Sequence, residues 1–249
     1  MDKNKISVNG IIYLIVISIT VIVSIIILSN AFINRNKENE IINVTGLGAK
    51  DFESDLVTWS GSFTKLDMDL QNAYAKLNAD RGIIIDFLKS YNVSDDEYVF
   101  SSVSIYKQYE TVYDQDRNQK RIFIGYSLSQ EIKIESGDLD KVENISREIS
   151  ELINKGVEFY SQSPQYFYTG LSELKMELIE AATKDAKQRA ESIAQMSGFS
   201  LGRLKYANMG VFQIIAKNSN EDYSWDGAFN TSSRLKTATI TMKLQFGIK

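Results

Sequence analysis

Two kinds of hydrophobic pattern divide the chain. Residues 11–33 (IIYLIVISITVIVSIIILSNAFI) hold no charge and show no polar face. At ~1.5 Å rise per residue a helix of that stretch reaches ~34 Å, enough to cross a hydrocarbon core of ~30 Å. Beyond it the pattern becomes periodic. Over residues 54–66, Val57, Trp59, Gly61 and Phe63 alternate with Thr58, Ser60, Ser62 and Thr64, the period of a half-buried strand. Asp67 is the expected N-cap of a helix reaching Tyr91, with its stripe at Leu70, Tyr74, Leu77, Ile84, Leu88 and Tyr91. Two strands follow: one carries Val99, Ser101, Val103 and Ile105, the other Ile122, Ile124, Tyr126, Leu128, Ile132 and Ile134. Residues 113–120 form the hairpin tip between them. A helix over 139–155 buries Val142, Ile145, Ile149, Leu152 and Ile153 and stops at Gly156. A longer helix spans 171–197 and stops at Gly198. Strands near 203–215 and 235–246 close the chain, the last with Ala238, Ile240, Met242, Leu244 and Phe246 on one face. The order β-α-β-β-α-β-α-β-β with clean alternation predicts an α+β fold, antiparallel sheets packed against long helices.

This pattern sets the expected organisation: a short cytoplasmic tail (1–10), a transmembrane signal anchor (11–33), a polar linker (34–41) and one domain (42–249). Lys3 and Lys5 precede the apolar run, and Arg35 and Lys37 follow it. The charge rule is nearly tied; the free amino terminus tips the tail inward and places the domain in the periplasm or at the cell surface. The rival is a cleaved signal peptide, since Ser29-Asn30-Ala31 has the small-x-small form of a cleavage site. Against it, the apolar stretch over 11–28 exceeds the usual ~7–15 residues of a signal h-region.

Composition then removes chemistries. The chain has 28 basic and 32 acidic side chains. Setting aside Lys3, Lys5, Arg35 and Asp2 leaves 25 and 31, a body charge of −6 with no basic footprint for nucleic acid. With no cysteine and no histidine there is no thiolate, no disulfide, no usual zinc site and no histidine general base. No catalytic residue, cofactor or metal site is expected; an enzyme here would have to work with carboxylates or lysine.

Several motifs invite chemistry and are better read as structure. Gly46-Leu47-Gly48 opens like a dinucleotide loop, but Asp51 occupies the third glycine position, and a strand kink or bulge is expected. Asp114-x-Asp116-x-Asn118 resembles the start of a calcium loop, but Gln119 and Gly125 stand where glycine and glutamate belong. Asp95, Asp96 and Glu97 read as solvated turn carboxylates whose directions alternate. Ala182, Ala186, Ala190 and Ala194 make a small-residue ridge, fit for close packing within the domain or for helix–helix assembly. Two aromatic concentrations carry more weight. Tyr166, Phe167 and Tyr168 follow the only proline, Pro164, with Phe159 and Tyr160 before it. Tyr223, Trp225 and Phe229 sit in the polar loop 217–234. Tyr166, Phe167, Tyr168, Tyr223, Trp225 and Phe229 are the candidate contact surface; the loop either meets a partner or folds back on its own domain.

The residues also carry a resemblance. Val44-Thr45-Gly46-Leu47-Gly48 followed by Asp55-Leu56 resembles the VTGxG…PDxA opening of SIMPL-domain proteins. So do Ser104-Ile105-Tyr106-Lys107-Gln108-Tyr109, Gly125-Tyr126 and Asp138-Leu139-Asp140-Lys141-Val142. The most specific stretch is Ala182-x-x-Asp185-Ala186-x-x-Arg189-Ala190-x-x-Ile193-Ala194, then Gly198 and Leu201-Gly202. The likeness spans 42–247, departing at Ser54, where the family usually has proline. It implies an extracytoplasmic bacterial protein, in a family with links to oxidative-stress defence and with oligomeric members, and it carries no catalytic residues. Together these readings anticipate a membrane-tethered, non-enzymatic domain that forms a homo-oligomer or binds envelope components. The alternative is a monomeric module for a peptide, glycan or small ligand.

Overall fold

A computed structural model describes residues 8–37, 40–113, 118–220 and 224–249. Helix α1 (Val8–Lys37) contains the apolar segment. Its span Gly10–Phe32 is long and apolar enough to cross a membrane and none of it is buried against protein; a signal sequence passes the same test. The hydroxyls of Ser18 and Ser24 donate to the carbonyls of Leu14 and Thr20, at 2.9 and 2.8 Å. These hydroxyls are thereby satisfied within the helix itself.

The rest follows as β1 (Ile41–Glu53), β2 (Leu56–Asp67), α2 (Leu70–Ser90), β3 (Tyr98–Phe100), β4 (Ser104–Tyr113), β5 (Gln119–Ser136), α3 (Leu139–Glu148) with a 3-10 extension (Ile149–Lys155), β6 (Phe159–Ser161), β7 (Gln165–Phe167), α4 (Leu171–Met196), β8 (Leu201–Met209), β9 (Gln213–Ala216) and β10 (Leu235–Ile248). The class is α+β with antiparallel sheets, as expected. The chain forms two compact units, Met1–Ala49 with Glu177–Val211 and Ile240–Lys249, and Lys50–Met176 with Phe212–Thr239.

In the first unit β10 lies between β1 and β8, pairing antiparallel with β8 from Met242↔Met209 to Ile248↔Leu201. The sequence reading gives only a strand kink or bulge at Gly46-Leu47-Gly48 and starts its first full strand at 54, whereas β1 runs through those glycines. Its inward positions are Val44, Gly46 and Gly48, so two of three lack the apolar side chain that reveals a strand. The glycines are there because α4 comes close. A Cβ on Gly46 would stand 2.1 Å from the Ala182 carbonyl oxygen and 2.5 Å from the Ala186 nitrogen; one on Gly48 would stand 2.2 Å from the Leu178 oxygen. The alanine ridge is fully buried against this strand, so its packing is within the unit.

In the second unit β2 pairs along its length with β5, from Val57↔Ser136 to Asp67↔Tyr126. The sheet order is β3-β5-β2-β6, with β4 on β5 and β7 on β2. Trp59, Phe63, Ile132 and Ile134 form its buried face with Leu77 and Ile84 of α2 and Val142 and Ile145 of α3. Several boundaries differ from expectation. The N-cap of α2 is Asp69, which accepts from the Asn72 amide at 2.9 Å; Asp67 instead accepts from the Asp69 amide and holds Lys76 at 2.6 Å. The buried stripe runs Ala73, Leu77, Asp80, Ile84, Phe87 and Leu88, leaving Leu70 and Tyr74 outside. Asp80 is buried with Lys65 Nζ 2.9 Å away, an ion pair without hydrogen-bond geometry. The strand expected through Val99 and Ile105 breaks at 101–103, where Ser101 engages Gln130 and Glu131. The helix over 139–155 changes to 3-10 after Glu148, and Gly156 ends it at φ 78°. The strand expected over 203–215 is two, split at Gly210, whose amide donates to the Thr241 carbonyl.

Candidate contact surface

The loop between β9 and β10 is built on one buried side chain. Gln213, 7% exposed, accepts from the amide of Ala228 at 2.5 Å through Oε1, and its Nε2 donates to the Ser224 carbonyl at 2.6 Å. The Ile214 amide donates to the Ala228 carbonyl, and the Asn230 amide to the Ile214 carbonyl. The described loop backbone thus folds onto β9, while the Trp225 side chain does not. Trp225 is 95% exposed and Phe229 50%. Gly227, at φ 99°, makes the turn between them. Tyr223 lies outside the described residues, as does most of the Asp114-x-Asp116-x-Asn118 stretch.

The other aromatic cluster behaves differently. Tyr166 is half-buried, its amide donating to the Thr231 carbonyl and its hydroxyl to Glu143 Oε1 at 3.0 Å. Burial, then Glu143, pushes its pKa up to about 12. Tyr168 packs on Phe52 with centroids 4.9 Å apart. Phe167 edges a cleft of about 290 Å³ with Thr58, Ser60, Gln162 and Gln165. The two clusters therefore meet through backbone, at Tyr166 and Thr231. Trp225 and Phe229 offer free aromatic surface; Tyr166 and Tyr168 are framework.

Lys236 was not singled out by sequence, since it reads as one more strand lysine. It is 1% exposed, donates to the Tyr166 carbonyl at 2.6 Å, and burial lowers its pKa. Closed off from solvent, it ties β10 to β7. Glu97 corrects the reading of solvated turn carboxylates. It holds Lys141 at 2.8 Å and accepts from Ser136 and Ser94. Burial raises its pKa, but those hydrogen bonds outweigh burial and hold it at about 2. Asp95 instead accepts from the Tyr98 hydroxyl, so it and Glu97 are engaged by different groups.

A two-unit α+β domain whose glycine-bearing strand is clasped by an alanine-ridged helix defines the class. Residues 42–245 match the SIMPL family, described as a protein of unknown function (DUF541), and the chain belongs to that family. No curated protein matches the chain. The family motif residues have structural tasks here. Asp185 accepts from the Leu47 amide at 2.8 Å and from Arg189 Nε at 3.0 Å. Asp55 accepts from the Thr169 amide and hydroxyl, at 2.8 and 2.6 Å, and Asp138 caps α3 through the Lys141 amide. At Ser54, where proline is usual, the amide donates to the Arg234 carbonyl, a bond proline could not make.

Proposed function

We propose that the protein is a non-enzymatic, membrane-tethered domain working outside the cytoplasm, where copies assemble through the loop carrying Trp225. The observation that carries this reading is a tryptophan 95% exposed on a loop pinned by a buried glutamine. An indole held in water forfeits one of the largest apolar burials available to a side chain, and tryptophan is enriched at the centres of interfaces. The apolar helix supports a tether, and a shared membrane raises the effective concentration of neighbouring domains. The absence of histidine and cysteine from the sequence supports a role without catalysis.

The test is the assembly state of the full chain in mild detergent, with and without Trp225→Ser plus Phe229→Ser. Assembly of the wild type and loss of assembly in a variant with unchanged thermal unfolding is the expected result. A monomeric wild type at tens of micromolar overturns the proposal. Retention of the amino terminus in the intact mass checks the tether.

A second reading has one observation in its favour. The cleft beside Phe167 is rimmed by Thr58, Ser60, Gln162 and Gln165, whose side chains have no partner among the described residues. Polar groups around an aromatic edge suit a glycan or peptide, and titration with cell-wall fragments tests that binding role.

A further inference from the structure

The second unit carries an apolar groove far in sequence from the Trp225 loop. Leu70, Gln71 and Tyr74 from the start of α2 line it with Ile105 of β4 and Leu128 of β5, around about 320 Å³. Leu70 is 38% exposed, and Tyr74 and Ile105 are each 54% exposed. Leu70 and Tyr74 are the misplaced members of the expected α2 stripe: apolar by pattern, left without full cover by the fold. Engineered cavities of about 150 Å³ hold a benzene ring, so the groove has room for an indole.

Resting on the assembly reading above, we propose that the groove receives Trp225 of a second copy. The unit then presents a knob and a socket, each unfilled by its own chain. Charge supports this occupant. Lys107 is two residues from Ile105 on β4 and so shares its face. It is exposed and has no ion-pair partner among the described residues; Asp226, next to Trp225, is likewise exposed and unpaired. With the indole in the groove, the two complete a rim ion pair. As proposed, the contact is heterologous rather than a two-fold exchange of knob and socket between the same two copies. Each copy binds one neighbour by its loop and another by its groove, the arrangement that makes rings when rotation closes and filaments when it does not.

The decisive experiment mixes two defective full-length chains in mild detergent and follows them by sedimentation velocity. Trp225→Ser lacks the knob, and Tyr74→Asp blocks the socket at an exposed helix position. Ile105→Asp serves as a second socket variant, and circular dichroism checks the folding of all three. Each variant alone should associate on the order of tenfold more weakly than wild type, or worse. The equimolar mixture should form one-to-one pairs and nothing larger, because one intact knob meets one intact socket. A mixture that stays monomeric overturns the groove proposal. So does either socket variant assembling like wild type while Trp225→Ser does not, an outcome that leaves the assembly reading standing. A wild type that never assembles overturns both. Lys107→Glu with Asp226→Lys should restore association that either change alone weakens.

Discussion

The clasp of β1 by α4 and the loop from β9 to β10 use small and large residues in opposite ways. In the clasp, side chains are removed until backbones touch: Gly46 and Gly48 lie against Leu178, Ala182 and Ala186, and Asp185 takes the Leu47 amide. In the loop, backbone is fixed by Gln213 so that the largest side chain can be left outside. The first arrangement tolerates no added atom. The second tolerates almost any change at Trp225 as far as folding is concerned. Many of the residues that identify the family belong to the clasp and to caps, so that part of the match reports a frame. Trp225 lies outside those motifs, whereas Ile105 of the groove and Lys107 beside it lie inside the Ser104–Tyr109 motif on β4.

The sharpest way to break this contrast is Gly46→Ala. Its methyl would meet backbone atoms at 2.1 and 2.5 Å, which cannot swing aside, so a loss of about 3 kcal/mol or more is expected in denaturant unfolding. Ala186→Leu should cost about 1–3 kcal/mol, since the ridge position is fully buried. On the same helix Lys187, paired only loosely with Glu191 at 3.7 Å, should lose less than about 0.5 kcal/mol on conversion to alanine. Equal effects at 186 and 187 would dissolve the clasp.

Glu97 sharpens the contrast from within the second unit. Its folded pKa of about 2 lies below the usual carboxylate value, so its contribution is complete above pH ~4.5 and is lost as pH falls through about 2. Glu97→Gln should lower stability at pH 7 by about 1–3 kcal/mol and flatten the acid limb of the stability curve. Unfolding midpoints between pH 2 and 7 check it. The smallest expected effect is Trp225→Ser on stability, under about 0.5 kcal/mol, because almost none of the indole is buried.

Alternation read from sequence located β2, β5 and β10, because Trp59, Ile132 and Ile240 declare their inward faces by apolarity. It failed for β1, where glycine does the same job without apolarity, and at Ser101, where side-chain bonds interrupt a strand that alternation would continue. Helix α2 was placed correctly, but Leu70 and Tyr74 were given to a core that takes Ala73 and Asp80. A period of 3.6 finds a face; it cannot tell which edge of that face the sheet covers. For the loop of Trp225 the polar neighbours left two outcomes open, a contact surface or a fold back onto the domain; the structure does some of each, with the backbone on β9 and the indole exposed. The groove was not legible, because Leu70, Ile105 and Leu128 come from three elements that only the fold brings together.

The most direct measurement is the tryptophan emission of the full chain across a dilution series that spans its assembly. The chain has two tryptophans, Trp59 buried at 1% exposure and Trp225 in water at 95%. If copies meet through Trp225, emission should shift to the blue as assembly proceeds. In Trp225→Ser, where Trp59 alone reports, it should stay fixed at every concentration. Assembly that leaves the wild-type emission unchanged would contradict the contact.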